Sequence, residues 1–280
     1  MNFRHLAQPC RIGSLEIKNR MAVTAMGVNL AEADGSCGDK IIAFHERQAK
    51  GGAGLIILGV PGVAWPDGGN QPRQIAISED RHIPGLKTMA EAIHVYDAKV
   101  IAQIHHGGMV SAQDMKEGRP VWIPSYPKPA DMDLFDHMLP HEMNAFFDPE
   151  APPINMHVMT KEDIEILIAK YAAAAARAKE AGIDGVEIHA GHGYMISGFL
   201  SPSSNTREDE YGGKLHPFRE GAHDEGSGVV RVSVASEIER HHAILLAERL
   251  CQVIPPMRVG PAPVQESNHG SRTLAPGEGV

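Results

Sequence analysis

The sequence contains no long hydrophobic run and no excess of positive charge, and each absence excludes a class of protein. No apolar stretch approaches the roughly 20 residues of a membrane-spanning helix, and the N-terminus lacks the apolar core of a signal peptide. The formal net charge is -9, with no basic run to offset it, which argues against a nucleic-acid-binding surface. We therefore expect neither a membrane nor a nucleic acid as a partner.

Cysteine is also scarce. The three cysteines, Cys10, Cys37 and Cys251, are odd in number, far apart and without C-x-x-C spacing. This pattern predicts free thiols in a reducing compartment, so we expect a cytoplasmic protein.

The composition that is present is ordinary for a globular chain, with 42% hydrophobic and 22% charged residues among 280. Short buried strands alternate with amphipathic helices over the first three quarters of the chain, as in a parallel α/β fold. The predicted strands are Met21 to Met26 and residues 53–59, 98–108 and 185–189, and the predicted helices are residues 39–51, 83–96 and a long one opened by Thr160.

Residues 110–158 are rich in proline and have no clear period, which is typical of a variable lid over an active site. This segment contains His137, His141, Glu142 and Asp148. Their spacing fits no standard metal site, so they are interpreted as parts of a solvated loop.

The most informative stretch is Gly182 to Gly213, where a buried strand ends in His189 and is followed by His192 and Tyr194. Two imidazoles side by side can each donate a hydrogen bond to a polarised oxygen, and a tyrosine can deliver a proton. A hydrolytic zinc site is an alternative. It is a weak one, because an H-x-x-H pair without a third ligand at the usual spacing is poorly specific.

This stretch, VEIHAGHGYMISGFLSPSSNTREDEYGG, closely resembles the fourth-strand region of the Old Yellow Enzyme family, the FMN-dependent NADH:flavin oxidoreductases and ene-reductases. The resemblance implies a TIM-type (β/α)8 barrel that binds FMN and takes electrons from NADH or NADPH. It implies a small-molecule substrate, an α,β-unsaturated carbonyl compound whose C=C bond is reduced. His189 and His192 would hold the carbonyl oxygen, and Tyr194 would donate the proton.

The resemblance also implies a set of residues that flank the flavin. IGSLEIKNRMAVTAMG matches the opening segment of the family, and the small residue after the second strand and the glutamine of the third strand match as well. The implied cofactor-binding residues are Thr24, Ala25, Met26, Gly27, Gly59 and Gln103. No metal is implied. The chain departs from the family pattern at Ala25, usually proline, and at Met109, usually arginine, while His106 is interpreted as a core histidine.

The family pattern stops near residue 213. Residues 214–280 show no strand–helix alternation beyond one helix, Ser236 to Cys251, and the last part is rich in Pro, Gly and Ser, as in poorly ordered chains. We therefore predict an N-terminal part of the barrel at 1–213, truncated after about four βα units, and an irregular tail at 214–280. A shift of reading frame after about Gly221 is our hypothesis for its origin.

Truncation has consequences for the expected activity. A phosphate anchor after strands seven and eight and a basic residue on strand five, both implied by the resemblance, would be missing. Open barrel edges would invite a homo-oligomer. The alternative to an enzyme is a non-catalytic barrel remnant that does not hold FMN stably.

Overall fold

The computed structural model describes residues 3–128, 153–212 and 230–233. The strands are β1 (Cys10–Ile12), β2 (Leu15–Ile17), β3 (Ala22–Val23), β4 (Leu55–Leu58), β5 (Lys99–Ile104), β6 (Val121–Ile123), β7 (Met156–Val158), β8 (Gly185–His189) and β9 (Val230–Ser233). The α-helices are α1 (Asp39–Lys50), α2 (Ile83–His94), α3 (Ala112–Glu117), α4 (Lys161–Glu180) and α5 (Met195–Leu200).

The centre of the fold is a parallel sheet of five strands in the order β3-β4-β5-β8-β9. The four predicted strands are therefore present, in chain order, with helices between them. The first is shorter than the predicted Met21 to Met26, because only Ala22 and Val23 pair with β4, at Leu55 and Ile56.

The sheet has two different faces, as the alternation along β5 shows. Val100, Ala102 and Ile104 lie in the large core shared with the helices. Ile101 points the other way and packs in the small cluster beneath the β1–β2 hairpin. Since side chains alternate along a strand, Gln103 falls on the same face as Ile101, away from the helices.

The same alternation holds in β8. Val186 and Ile188 belong to the core shared with the helices, so Glu187 and His189 fall on the opposite face. In the parallel ladder, Gln103 of β5 is in register with Glu187. The polar residues of both strands therefore lie on one face, close to the carboxyl ends of the strands.

Helix α4 begins where the sequence predicts. The Thr160 hydroxyl accepts a hydrogen bond from the Asp163 N–H at 3.1 Å, and the Asp163 carboxylate accepts one from the Thr160 N–H at 2.8 Å, a complete capping box. The helix ends before Gly182, whose φ of +77° suits glycine. The predicted core positions are all buried: Ile164, Leu167, Ile168, Tyr171, Ala175 and Ala178.

The prediction that residues 214–280 contain no strand is wrong at Val230–Ser233. This segment forms β9, which pairs in parallel with β8, with Arg231 in register with Glu187. Four residues are too few to establish a period, and it is the edge of β8 that makes them a strand. The predicted helix Ser236 to Cys251 lies outside the described residues. The reading-frame hypothesis stays a prediction.

The segment 110–158 is also more ordered than predicted in its described parts. It contains α3 and the parallel pair of β6 and β7, in which Val121 is in register with Met156. Tertiary pairing of two distant three-residue strands leaves no periodic signal in the sequence. Residues 129–152, with the histidines and carboxylates noted above, lie outside the described residues.

Two further expectations concern composition. Cys10 and Cys37 are free thiols, while Cys251 lies outside the described residues. Over the described ranges, no helix combines the length and the apolar character needed to cross a bilayer.

Candidate functional site

The candidate site lies at the carboxyl ends of the parallel strands, where α/β folds bind ligands. Gly59 directly follows β4, Gln103 is the fifth residue of β5, and His189 ends β8. Because these strands are neighbours in the sheet, residues that are far apart in the sequence meet along one edge.

His189, His192 and Tyr194 come together as the sequence predicts. The ring centroids of His189 and Tyr194 lie 4.7 Å apart, and those of His189 and His192 lie 5.1 Å apart, both nearly perpendicular. The chain turns back sharply here. His192 has a φ of +59° and Gly193 a φ of +72°. A left-handed histidine is uncommon outside functional sites.

His189 is neutral, and its hydrogen bonds define which nitrogen carries the proton. Its Nδ1 accepts the Gly191 N–H at 3.2 Å, so the proton is on Nε2, which lies 3.2 Å from Nδ1 of His192. Burial, together with the neighbouring His192, lowers the pKa of His189 to about 4. The ring can therefore donate a hydrogen bond at neutral pH without carrying a charge.

The Tyr194 phenol keeps its proton at neutral pH. Burial raises the pKa of its phenol, so that the hydroxyl stays protonated at neutral pH. The side chain is half-buried, and its hydroxyl makes no hydrogen bond to another described residue. The rings of His189 and of a further histidine, His105, contact it instead.

The residues that the resemblance assigns to the flavin lie on two neighbouring segments. Thr24, Met26 and Gly27 are exposed and Ala25 is half-buried on the segment after β3, with Met26 66% exposed. Gly59 is buried against this segment: a Cβ on Gly59 would lie 2.1 Å from the carbonyl oxygen of Met26. For Gly59, the resemblance implies a small residue against the flavin, and a glycine that simply ends the strand is the alternative. In the structure the backbone of Met26 already requires glycine there.

The contact at Gly59 gives a stability prediction. We expect Gly59→Ala to destabilise the protein by about 1–3 kcal/mol, because the Met26 backbone cannot move aside cheaply. Urea unfolding followed by circular dichroism measures this. Gly198→Ala is the matched control, since its Cβ would meet only Pro124 side-chain atoms at 3.4 Å or more. Equal stability of the two variants would contradict the prediction.

Gln103 is the most buried of the predicted flavin residues that carry a polar side chain. Only 9% of it is exposed, and its amide makes no hydrogen bond to another described residue. An amide can both donate and accept, and a buried one without partners is costly. The side chain is thus available to a ligand with a polar edge.

His105 is the residue that the sequence analysis missed. It follows β5 directly and is fully buried, with its ring centroid 4.4 Å from that of Tyr194. The only signal for His105 in the sequence is a pair of adjacent histidines, His105 and His106, at the end of a predicted strand. His106 is indeed a core residue: its Nδ1 accepts the Gly108 N–H at 3.1 Å, and its ring lies 6.0 Å from that of Trp122.

The zinc alternative finds no further support. Among the described residues, no group of three or more histidine, cysteine or carboxylate side chains could hold a metal ion. His189 and His192 lie within hydrogen-bond distance of each other, and the Tyr194 ring contacts both.

Comparison with solved structures identifies the class of fold. The chain superimposes on an Old Yellow Enzyme from Pichia sp. AKU4542 with a TM-score of 0.68 and 22% identity, over 89% of this chain and 56% of that one. It also superimposes on a 2-naphthoyl-CoA reductase with a TM-score of 0.62 and 28% identity, over 76% of this chain and 31% of that one. The fold is therefore an α/β barrel of the Old Yellow Enzyme type.

The sequence comparisons then give the family. Residues 5–217 match the NADH:flavin oxidoreductase / NADH oxidase family, and the chain belongs to it. An NADH oxidase of Thermoanaerobacter brockii is 38% identical over 214 residues, 76% of this chain and 30% of that protein. An NADPH dehydrogenase of Listeria innocua is 33% identical over 204 residues, 72% of this chain and 53% of that protein.

The chain therefore spans between about a third and about a half of the length of these relatives. The residues present fit the flavin that the family name implies along one edge of the site. The Gln103 amide, which has no hydrogen-bond partner among the described residues, offers a polar edge. The exposed segment after β3 offers a surface beside it, with Gly59 buried behind that segment.

Proposed function

We propose that the protein is an FMN-dependent NAD(P)H oxidoreductase of the ene-reductase type, which reduces the C=C bond of α,β-unsaturated carbonyl compounds. The observation that carries the proposal is the convergence of His189, His192 and Tyr194 at the carboxyl end of β8. Two imidazole hydrogen-bond donors and a protonated phenol are what such a substrate needs.

His189 and His192 bind the carbonyl oxygen of the substrate. The Nε2–H of His189 turns from His192 to this oxygen, and a nitrogen of His192 donates the second hydrogen bond. Both bonds strengthen as negative charge develops on the oxygen, which stabilises the transition state more than the ground state. Because His189 is neutral, it can bind an uncharged carbonyl without the cost of burying a charged imidazole.

Tyr194 delivers the proton to the α-carbon. Its phenol is protonated, is free of other described partners and lies next to the two imidazoles that bind the oxygen. Proton transfer at this position completes the reduction while the oxygen remains hydrogen-bonded. A general acid held in this way contributes about 10²–10⁴ to a rate.

FMN, when bound, supplies the hydride chemistry between NAD(P)H and the β-carbon of the alkene. Gln103 would hydrogen-bond its polar edge, and the segment from Thr24 to Gly27 would lie along it with Gly59 behind.

An open sheet edge makes self-association part of the proposal. Among the described strands β3 has one neighbour only, β4, and Met21 and Met26 beside it are 42% and 66% exposed. Exposed edges with apolar side chains favour pairing with another chain. A second copy of this chain is the proposed partner.

The test of the proposed function is a visible spectrum of the purified protein with and without added FMN. We expect flavin bands that shift on binding, bleach with NAD(P)H and recover with an enone, and light scattering on the same samples gives the oligomeric state. Gln103→Leu should weaken FMN binding about tenfold or more, through the loss of hydrogen bonds at a buried edge. Gln113→Leu, at another buried glutamine, is the matched control.

A colourless protein that leaves the spectrum of added FMN unchanged would overturn the proposal. The chain would then be a non-catalytic remnant of the barrel.

A further inference from the structure

His105 is a fully buried imidazole that the proposed reaction does not yet use. Its ring centroid lies 4.4 Å from that of Tyr194 at an interplanar angle of 83°, and 6.0 Å from that of His189. Tyr194 therefore contacts two histidine rings, and both are nearly perpendicular to it. Edge-to-face contacts of this kind favour a defined ring orientation.

The orientation of His105 is itself set by a chain of hydrogen bonds. The Asn70 N–H donates to Oε1 of Gln74 at 2.8 Å, which fixes the direction of that amide. Nε2 of Gln74 then donates to the Val60 carbonyl at 2.8 Å and lies 3.3 Å from Nδ1 of His105. Since an amide nitrogen only donates, Nδ1 accepts, and the proton of the neutral ring is on Nε2.

This Nε2–H is a buried donor without a hydrogen-bond partner among the described residues. Such groups are rare, because leaving a buried donor unpaired costs stability. The nearest aromatic ring is that of Tyr194, which is nearly perpendicular to the imidazole. Burial, with smaller contributions from His106 and His189, keeps the pKa of His105 well below its usual value, so the ring brings no charge to the phenol.

We propose that His105 is a positioning residue for Tyr194, whose ring it contacts nearly at a right angle, and that this contact keeps the tyrosine hydroxyl directed toward the substrate. The inference rests on the proposed function for the role of Tyr194 as proton donor. It depends on the contact between the rings and on the hydrogen bonds from Gln74, and not on any bound cofactor.

The first experiment uses the chain without cofactor. With tyrosine labelled by 13C at Cζ, the resonance of Tyr194 is identified by its loss in Tyr194→Phe. In His105→Ala we expect this resonance to move and its titration to fall toward the pKa of an exposed tyrosine, because the ring gains freedom and solvent. In His105→Phe, which keeps an aromatic ring, the change should be smaller.

His45→Ala is the matched control. His45 is also buried. Its Nδ1 is hydrogen-bonded to Gln48 and its Nε2 has no partner among the described residues, but it lies on α1 outside the site. The same volume is removed, so its effect on Tyr194 measures what a distant cavity does. A Tyr194 resonance that responds equally to both alanine variants, or to neither, would overturn the role of His105.

The second experiment measures enone reduction in a single turnover of FMN-loaded protein. His105→Ala should slow the protonation step about tenfold, with little change in the substrate concentration that gives half of the maximal rate. Misplacing a reacting group lowers the rate more than it weakens binding. The solvent isotope effect should rise, because proton transfer becomes more limiting. An unchanged isotope effect would contradict the inference. Failure of the protein to take up flavin would overturn the proposed function, while the Tyr194 resonance still decides the role of His105.

Discussion

Replacing Tyr194 with phenylalanine is expected to slow enone reduction about 10²–10⁴-fold, the usual contribution of a positioned general acid. The change removes one oxygen and keeps the ring, so the contacts with His105 and His189 and the fold should persist. Substrate binding should change little, because the proposal assigns the carbonyl oxygen to His189 and His192. Stopped-flow measurement of the reaction with an enone, at saturating substrate, gives the rate of this step.

Tyr96→Phe is the control for the loss of a tyrosine hydroxyl. Tyr96 follows α2, and its hydroxyl donates a hydrogen bond to Glu46 of α1 at 3.2 Å, outside the candidate site. We expect its rate to equal that of the unmodified protein. If Tyr194→Phe kept more than about half of the rate, another group would have to be the proton donor. The alkaline limit of activity should also lie above the ordinary pKa of tyrosine, because burial raises the pKa of Tyr194.

Lowering the pH from about 7 to about 5 is expected to destabilise the protein strongly. Burial lowers the pKa of His189 to about 4 and that of His106 to about 3, and it keeps the pKa of His105 well below its usual value. The unfolded chain therefore binds protons below about pH 6.5 that the folded chain does not. The stability conferred by the neutral rings is present above this pH and is lost as the pH falls toward the folded-state values.

The free energy of unfolding should fall by about 1.4 kcal/mol per pH unit for each such histidine, so the three together give up to about 4 kcal/mol per pH unit. Urea unfolding at a series of pH values measures it. His106→Asn should reduce this dependence by up to about 1.4 kcal/mol per pH unit, the contribution of one proton, because asparagine does not titrate. Its side-chain oxygen can accept the Gly108 N–H as Nδ1 of His106 does. An unfolding free energy that stays constant down to about pH 5 would contradict the buried, neutral state of these rings.

The elements that could be predicted from the sequence are those whose signal lies in residues close together in the chain. Thr160 and Asp163 define the start of α4, and the apolar runs of β4, β5 and β8 are visible because buried parallel strands are continuously hydrophobic. His189, His192 and Tyr194 could be predicted since they fall within six residues of one loop. Their approach is a local property of a glycine-rich turn.

The features that could not be predicted from the sequence depend on contacts between residues that are distant in the chain. β9 is a strand because the edge of β8 pairs with it, and β6 and β7 pair across more than thirty residues; neither is long enough to show a period. His105 joins the site because β5 and β8 are neighbours, which places its ring against Tyr194, 89 positions further on. Gly59 is required by the Met26 backbone, a contact between the ends of two strands that only their parallel pairing creates.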